Sequence, residues 1–176
     1  SIQLTIDLEY QSILEEELKK RQEETNSSSA TGIIMDPETG EVLAMATTPG
    51  FDNNHFGSTR PEFHRIRSIT DQFEPGSTFK VVSTVSALYD GLISLNDEFN
   101  CENGSFEYHT KKVTDHESYS MLTASQIIHH SSNIGIIKIM DQVGQKRLFS
   151  MSRDFGFGSK TGINLNGEVS GLSLIH

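Results

Sequence analysis

The chain holds a single cysteine, Cys101, among its 176 residues. One thiol cannot close an internal disulfide, and it excludes a metal site built from several cysteines. Basic residues are scarce: 14 Lys and Arg stand against 24 Asp and Glu, a formal net charge of −10. No basic patch stands out, so nothing points to nucleic acid as a partner. No apolar run reaches the roughly 18 residues that a membrane span needs. Internal repeats, linkers and low-complexity tracts are missing, and no signal peptide is visible. The chain starts at Ser1 rather than at Met, and its end, "GLSLIH", has no closing helix or turn. The expectation is one partial domain over residues 1–176, large enough for a sizeable core, with any targeting segment upstream.

What is present reads in order along the chain. "QLTID" (Gln3–Asp7) reads as a short strand, and Asp7 as the cap of a helix. Tyr10, Ile13, Leu14 and Leu18 then fall on one helix face. Glu15 with Lys19, Glu16 with Lys20 and Glu17 with Arg21 have the spacing of i,i+4 ion pairs. After the polar loop at Thr25–Ser29, "ATGIIMD" and "EVLAMAT" flank "PETG". That pattern predicts a β-hairpin over Ala30–Thr47, with Gly40 where φ turns positive. A long loop follows from Thr48 to Gly76, and a loop of that length is usually functional. Helices are expected from Ser77 to a stop at Gly91, from a Thr123/Gln126 capping box through "ASQIIHH", over "IGIIKIMDQVG", and over "QKRLFSMSRDFG". Asn96–Asp115 reads as weak strand, and "FGFGSKTGINLNGEVSG" as a glycine-rich loop or strand.

The chemistry concentrates at "EPGSTFK". Pro75 and Gly76 place Ser77 at a helix start, and Lys80 follows three residues later on the same face. Free backbone N–H groups at such a start can stabilise an oxyanion. The positive end of the helix and the apolar Val81 and Val82 disfavour a charged Lys80, and a neutral lysine is a base for the serine hydroxyl. Spacing alone does not identify a nucleophile. With 22 serines and 8 lysines, about one Ser-x-x-Lys pair is expected by chance, and one is present. A serine cap with a lysine lying along the surface is the plain alternative.

A second feature is the polar step "SSN" (Ser131–Asn133) between two apolar helices. Polar groups inside apolar structure must find hydrogen bonds, often in a cleft. Ser131 could relay a proton, and Asn133 offers a donor and an acceptor to a peptide backbone. A simple helix cap is the alternative there too. Adjacent His129 and His130 point about 100° apart on a helix and do not readily share a metal. Asp115-His116 suggests a triad only by adjacency. Cys101 has no cationic neighbour in sequence to lower its pKa and reads as inert. The Ile and Met stripe of "IGIIKIM" reads as core.

Taken together, "LTIDLEYQ", "GIIMDPETGEVLAMATTPGFDNN", "ITDQFEPGSTFK", "VTDHESYSMLTASQIIHHSSNIG" and "FGFGSKTGINLNGEVSG" resemble, block by block and in order, the transpeptidase domain of class B penicillin-binding proteins. The resemblance implies an α+β fold of the β-lactamase/transpeptidase type, an antiparallel sheet flanked by helices, incomplete at its C-terminal end. It implies a peptidoglycan D,D-transpeptidase working through an acyl-serine, with Ser77 the nucleophile, Lys80 its base, Ser131 the proton relay to the leaving D-alanine and Asn133 a substrate-binding residue. The implied partners are D-Ala-D-Ala stem peptides, β-lactam antibiotics and other cell-wall synthesis proteins, with no cofactor and no metal. The implied place is a bacterial cell membrane, facing outside or the periplasm, with the anchor upstream; division, elongation and sporulation remain open. The same resemblance gives Asp115-His116 a structural role. "INLNGE" departs from the family at Asn164 and Asn166, where Asp and Pro are more usual. The Lys160–Gly162 "KTG" reads as a decoy, since the family's working K-T-G lies on a later edge strand. The chain is then expected to lack that strand and one of two oxyanion donors.

Two other readings stand beside this one. A β-lactamase or β-lactam sensor shares Ser77 and Lys80 and differs in deacylation rate. A non-catalytic scaffold for cell-wall assembly does not need Ser77, Lys80, Ser131 and Asn133 intact.

Overall fold

The computed structural model describes residues 3–171. The expectation of an open end at "GLSLIH" therefore lies, past Gly171, outside the described residues. The described residues pack as two compact units, 3–71 with 164–169, and 72–163 with 170–171. The class is α+β, helices with antiparallel ladders, as expected.

The first unit is a helix laid on a hairpin. Helix α1 (Leu8–Thr25) starts where the Asp7 carboxylate accepts from the N–H groups of Glu9 and Tyr10, at 2.9 and 3.2 Å. Strands β1 (Ala30–Met35) and β2 (Val42–Thr48) pair antiparallel, Ala30 opposite Thr48 and Ile34 opposite Ala44. Their turn is built by Asp36, whose side chain accepts from the N–H groups of Glu38 and Thr39 at 2.7 and 3.0 Å. Gly40 has φ +77° there, as the hairpin reading requires. Helix α2 (Arg67–Thr70) packs on the same hairpin, and residues 164–169 are tied back by Val169 N–H to Ile69 C=O.

Two expectations for this unit change. Gln3–Asp7 is not a strand. Asp7 N–H bonds Leu43 C=O, and the Gln11 side-chain amide pairs with both Met45 N–H and Met45 C=O, at 2.9 and 3.0 Å. One helical side chain thus stands in for a neighbouring peptide group, and it covers part of the outer edge of β2 that a third strand would have used. The ion pairs also differ: Glu17 meets Lys20 and Arg21 meets Glu24, both at i,i+3, because exposed side chains choose among near-equivalent partners.

The second unit holds the larger core. Helix α3 (Lys80–Tyr89) stops in a Schellman arrangement, with Leu92 N–H on Ala87 C=O, Gly91 N–H on Leu88 C=O, and Gly91 at φ +65°. Short ladders join β3 (Glu98–Asn100) to β6 (Met121–Thr123), and β4 (Ser105–Tyr108) to β5 (Lys111–Thr114). Helix α4 (Ala124–His130) begins with the expected Thr123/Gln126 capping box. Helix α5 (Asn133–Val143) ends at Gly144, and α6 (Gln145–Asp154) follows directly. The glycine-rich stretch after α6 forms turns and no strand among the described residues.

Val82, Phe99, Cys101, Leu122, Ile127, Ile136, Ile139 and Met151 belong to one buried cluster, which confirms the "IGIIKIM" stripe as core. At Gly135 the α5 backbone lies against the Ile127 side chain of α4: a Cβ there would lie 2.5 Å from Ile127 Cγ1. Lys138 on α5 pairs with Glu102 and sits 4.7 Å from the Phe106 ring centroid, which fastens the β4–β5 hairpin to α5.

Candidate active site

Helix α3 does not begin at Ser77. Gly76–Phe79 is a 3-10 turn, and the α-helix begins at Lys80. Gly76 enters that turn at φ +59°, a conformation costly for any residue with a Cβ. The tighter winding sharpens the alignment expected from spacing, because residues i and i+3 eclipse in a 3-10 turn. Ser77 thus lies in line with Lys80, and Lys80 N–H bonds back to the Ser77 carbonyl. Ser77 is exposed and Lys80 half-buried.

The Lys80 ammonium reaches across to the polar step between α4 and α5. Nζ lies 2.6 Å from Ser131 C=O, 3.0 Å from Ser131 Oγ and 2.7 Å from Asn133 Oδ1. Three of the four candidate residues from two distant stretches are thereby joined at one nitrogen; Ser77 is tied to it through the turn. Three acceptors match the three hydrogens of an ammonium group. Burial pushes the Lys80 pKa below the ordinary lysine range, and the negative charge of Asp115 opposes that shift.

The step itself is held by local geometry. Ser131 closes α4 in the left-handed region, at φ 54°, and its N–H bonds Ile128 C=O. That turn brings both its carbonyl and its hydroxyl to Lys80. Ser132 turns the other way. Its hydroxyl is buried, donates to Asp115 Oδ2 at 2.6 Å and accepts from Gly135 N–H at 2.9 Å, capping α5. Asn133 donates its side-chain amide to Thr114 C=O at 2.9 Å, which leaves Oδ1 facing Lys80.

Asp115 is the residue whose place here sequence reasoning missed. It follows β5, and its carboxylate also accepts from Asn133 N–H and Ile134 N–H. Nothing local marks it, because an Asp after a weak strand has many possible uses. His116 makes no triad with it, and among the described residues no group of three or more His, Cys, Asp or Glu could hold a metal. His129 and His130 stack edge-on, 4.8 Å apart, on the exposed last turn of α4. Cys101 is fully buried and its thiol pKa is raised, mainly by burial. Lys160 is exposed among turns.

Comparison with known proteins places these features. Residues 30–174 match the family described as the penicillin binding protein transpeptidase domain. The chain is 34% identical over 172 residues to the peptidoglycan D,D-transpeptidase FtsI of Escherichia coli K12, covering 98% of this chain and 29% of FtsI. It is 30% identical over 174 residues to the stage V sporulation protein D of Bacillus subtilis 168, covering 97% of this chain and 27% of that protein. Among solved structures, it superposes with a TM-score of 0.81 and 28% identity on the apo TP domain of Burkholderia pseudomallei penicillin-binding protein 3, covering 94% of this chain and 46% of that one. A peptidoglycan glycosyltransferase from Burkholderia ambifaria gives a TM-score of 0.85 and 28% identity, with 98% of this chain and 51% of that one covered. The chain thus spans less than a third of the length of the two curated relatives.

Proposed function

The chain belongs to the penicillin binding protein transpeptidase domain family, and on that premise we propose that it carries the acylation machinery of a serine-type peptidoglycan D,D-transpeptidase. The observation that carries this reading is the convergence of Ser131 Oγ and Asn133 Oδ1 on Lys80 Nζ, one 3-10 turn from an exposed Ser77. The substrate would be a stem peptide ending in D-Ala-D-Ala.

In the reaction, Ser77 Oγ attacks the carbonyl carbon of the penultimate D-Ala and passes its proton to neutral Lys80. Of the three groups around Nζ, only the Ser131 hydroxyl can both donate and accept. It can therefore turn its proton toward the Nζ lone pair when Lys80 is neutral. It can also hand its proton to the leaving nitrogen when the peptide C–N bond breaks, taking in exchange the proton that Lys80 received from Ser77. Free D-Ala departs and the acyl group stays on Ser77 as an ester. An amine of a neighbouring strand then attacks that ester, a new amide forms as the ester C–O bond breaks, and the proton lost by the amine passes by way of Lys80 to Ser77. Asn133 positions the peptide backbone of the substrate. A β-lactam ring would acylate Ser77 by the same first step.

We place the working protein at the bacterial cell envelope, together with other cell-wall synthesis proteins. Among the described residues no helix is long and apolar enough to cross a membrane. We take the chain as part of a longer transpeptidase domain, with Lys160–Gly162 outside its site.

Fluorescent-penicillin labelling of the full-length protein, with mass spectrometry of the adduct, tests this. A stable adduct on Ser77 that is lost in Ser77→Ala and severely slowed in Lys80→Ala is the expected result. An adduct on another serine overturns the assignment. A rapidly hydrolysed adduct indicates a β-lactamase, and no adduct at all a scaffold.

A further inference from the structure

The geometry points to Asp115 as a positioning residue for acylation: its carboxylate holds the Ser131–Asn133 step in the one arrangement that presents Ser131 Oγ and Asn133 Oδ1 to Lys80. This rests on the acylation reading above and adds a residue to it.

Asp115 grips three consecutive residues. Oδ2 accepts from the Ser132 hydroxyl at 2.6 Å, while Oδ1 accepts from Asn133 N–H and, at 3.1 Å, Ile134 N–H. Its neighbour Thr114 takes the Asn133 side-chain amide through a backbone carbonyl. Asn133 is therefore fixed at both its main chain and its side chain by two successive residues at the end of β5, Thr114 and Asp115. With its NH2 group committed to Thr114, the Asn133 amide can only turn Oδ1 toward Lys80. Ser131 has no such clamp of its own. It stands in the left-handed region, unfavourable for a serine, between a helix end and the gripped Ser132. Releasing Ser132 frees Ser131 to relax toward an ordinary conformation, which would carry its carbonyl and hydroxyl away from Nζ.

The mount is itself anchored. Asp115 N–H bonds Gly104 C=O, and Ser118 Oγ bonds Asn103 C=O, across the left-handed turn Glu102–Gly104. Glu102 in that turn is paired with Lys138 of α5. The carboxylate is therefore carried on a hairpin fastened to the helix it caps.

Asp115 also acts through charge. Its ionised form favours protonated Lys80 on α3 and disfavours ionisation of Cys101 after β3 and of Tyr119 downstream. Of these only Lys80 is asked to change protonation in the reaction. Removing the negative charge lowers the Lys80 pKa further, so the acidic limb of the acylation profile must move to lower pH. Loss of fold stability alone, without loss of a charge near Lys80, would not move it.

The test is the pH profile of penicillin acylation in the full-length protein, for the parent, Asp115→Asn and Asp115→Ala. Arg147→Gln serves as a stability control, since it breaks the Asp90 pair between α6 and the end of α3 and touches nothing near Lys80. Asp115→Asn should slow acylation on the order of tenfold at its optimum, through weaker grip on Ser132, and shift the acidic limb to lower pH. Asp115→Ala should slow it on the order of a hundredfold, roughly the effect of losing one preorganised donor at an active site. Arg147→Gln should lose stability yet keep rate and profile. The inference is overturned if Asp115→Asn keeps the parent's rate and limb, or if rate loss follows stability loss equally in all three variants. Ser77→Ala, run alongside, separates the two claims. If it still labels, the acylation reading fails; if it does not label while Asp115 variants behave as the parent, only the role of Asp115 fails.

Discussion

In the first unit α1 carries no buried residue, and its Leu8, Tyr10 and Ile13 are 84%, 47% and 50% exposed. In the second, α5 alone buries Ile134, Gly135, Ile136, Ile139 and Val143. Both units depend on a glycine to bring a helix close to its neighbour, but they depend on it differently. At Gly32 an added Cβ would lie 2.8 Å from Leu14 Cδ1, the far end of a flexible side chain on a half-exposed helix. At Gly135 it would meet three atoms of Ile127, at 2.5, 2.7 and 3.1 Å, and Ile127 is fully buried. The first neighbour can swing away; the second is enclosed by core on all sides. The candidate site is carried by the second kind of packing, since Ser131 and Asn133 sit at the facing ends of the helices that Gly135 brings together.

The largest effect expected of a substitution that leaves Ser77 and Lys80 intact is at the polar step. Ser131→Ala should cut penicillin acylation by roughly a hundredfold or more, within the range for a proton-transfer group, with stability unchanged. Ser132→Ala should do the reverse first, costing about 0.5–2 kcal/mol of stability as a lost cap, with a smaller loss of rate. Denaturation and labelling of both variants check this; equal rate loss in two folded proteins would remove the distinction between the neighbouring serines. Next comes Gly135→Ala, which should cost about 1–3 kcal/mol by overpacking and slow acylation as α4 and α5 separate. The same change at Gly32 should stay within about 1 kcal/mol of the parent in either direction, because strain on Leu14 is offset by a less flexible unfolded chain. Similar urea midpoints for the two alanine variants would erase the contrast between the units. The smallest effect is expected for Lys160→Ala, which should leave acylation unchanged. Loss of labelling in that variant would bring Lys160–Gly162 into the site.

The readable parts of the site were those with a local cause. Ser77 and Lys80 are joined by one turn, and the capping box at Thr123 and the stop at Gly91 are short-range chemistry. The 3-10 winding under Ser77 was not readable, because α and 3-10 turns share the i,i+3 neighbourhood and differ only in how tightly the backbone closes. Asp115 carries no local sign of a place in the site. Its partners lie 17 to 19 positions away, and no periodicity connects a strand end with a helix start.

By itself the sequence determined the helix and hairpin boundaries that caps and turns set, the apolar stripe of α5, and, through its blocks, the family. Those signals act within a few residues, where geometry follows from the chain's own bonds. Only the tertiary structure decided that Lys80 meets Ser131 and Asn133, that Ser132 faces Asp115 instead, and that the Gln11 side chain takes a strand's place beside β2. These are contacts between segments far apart in sequence. They exist because core packing brings α3, α4, α5 and the end of β5 together, or, at Gln11, because α1 lies along the hairpin, and the polar groups named here find their partners across those contacts.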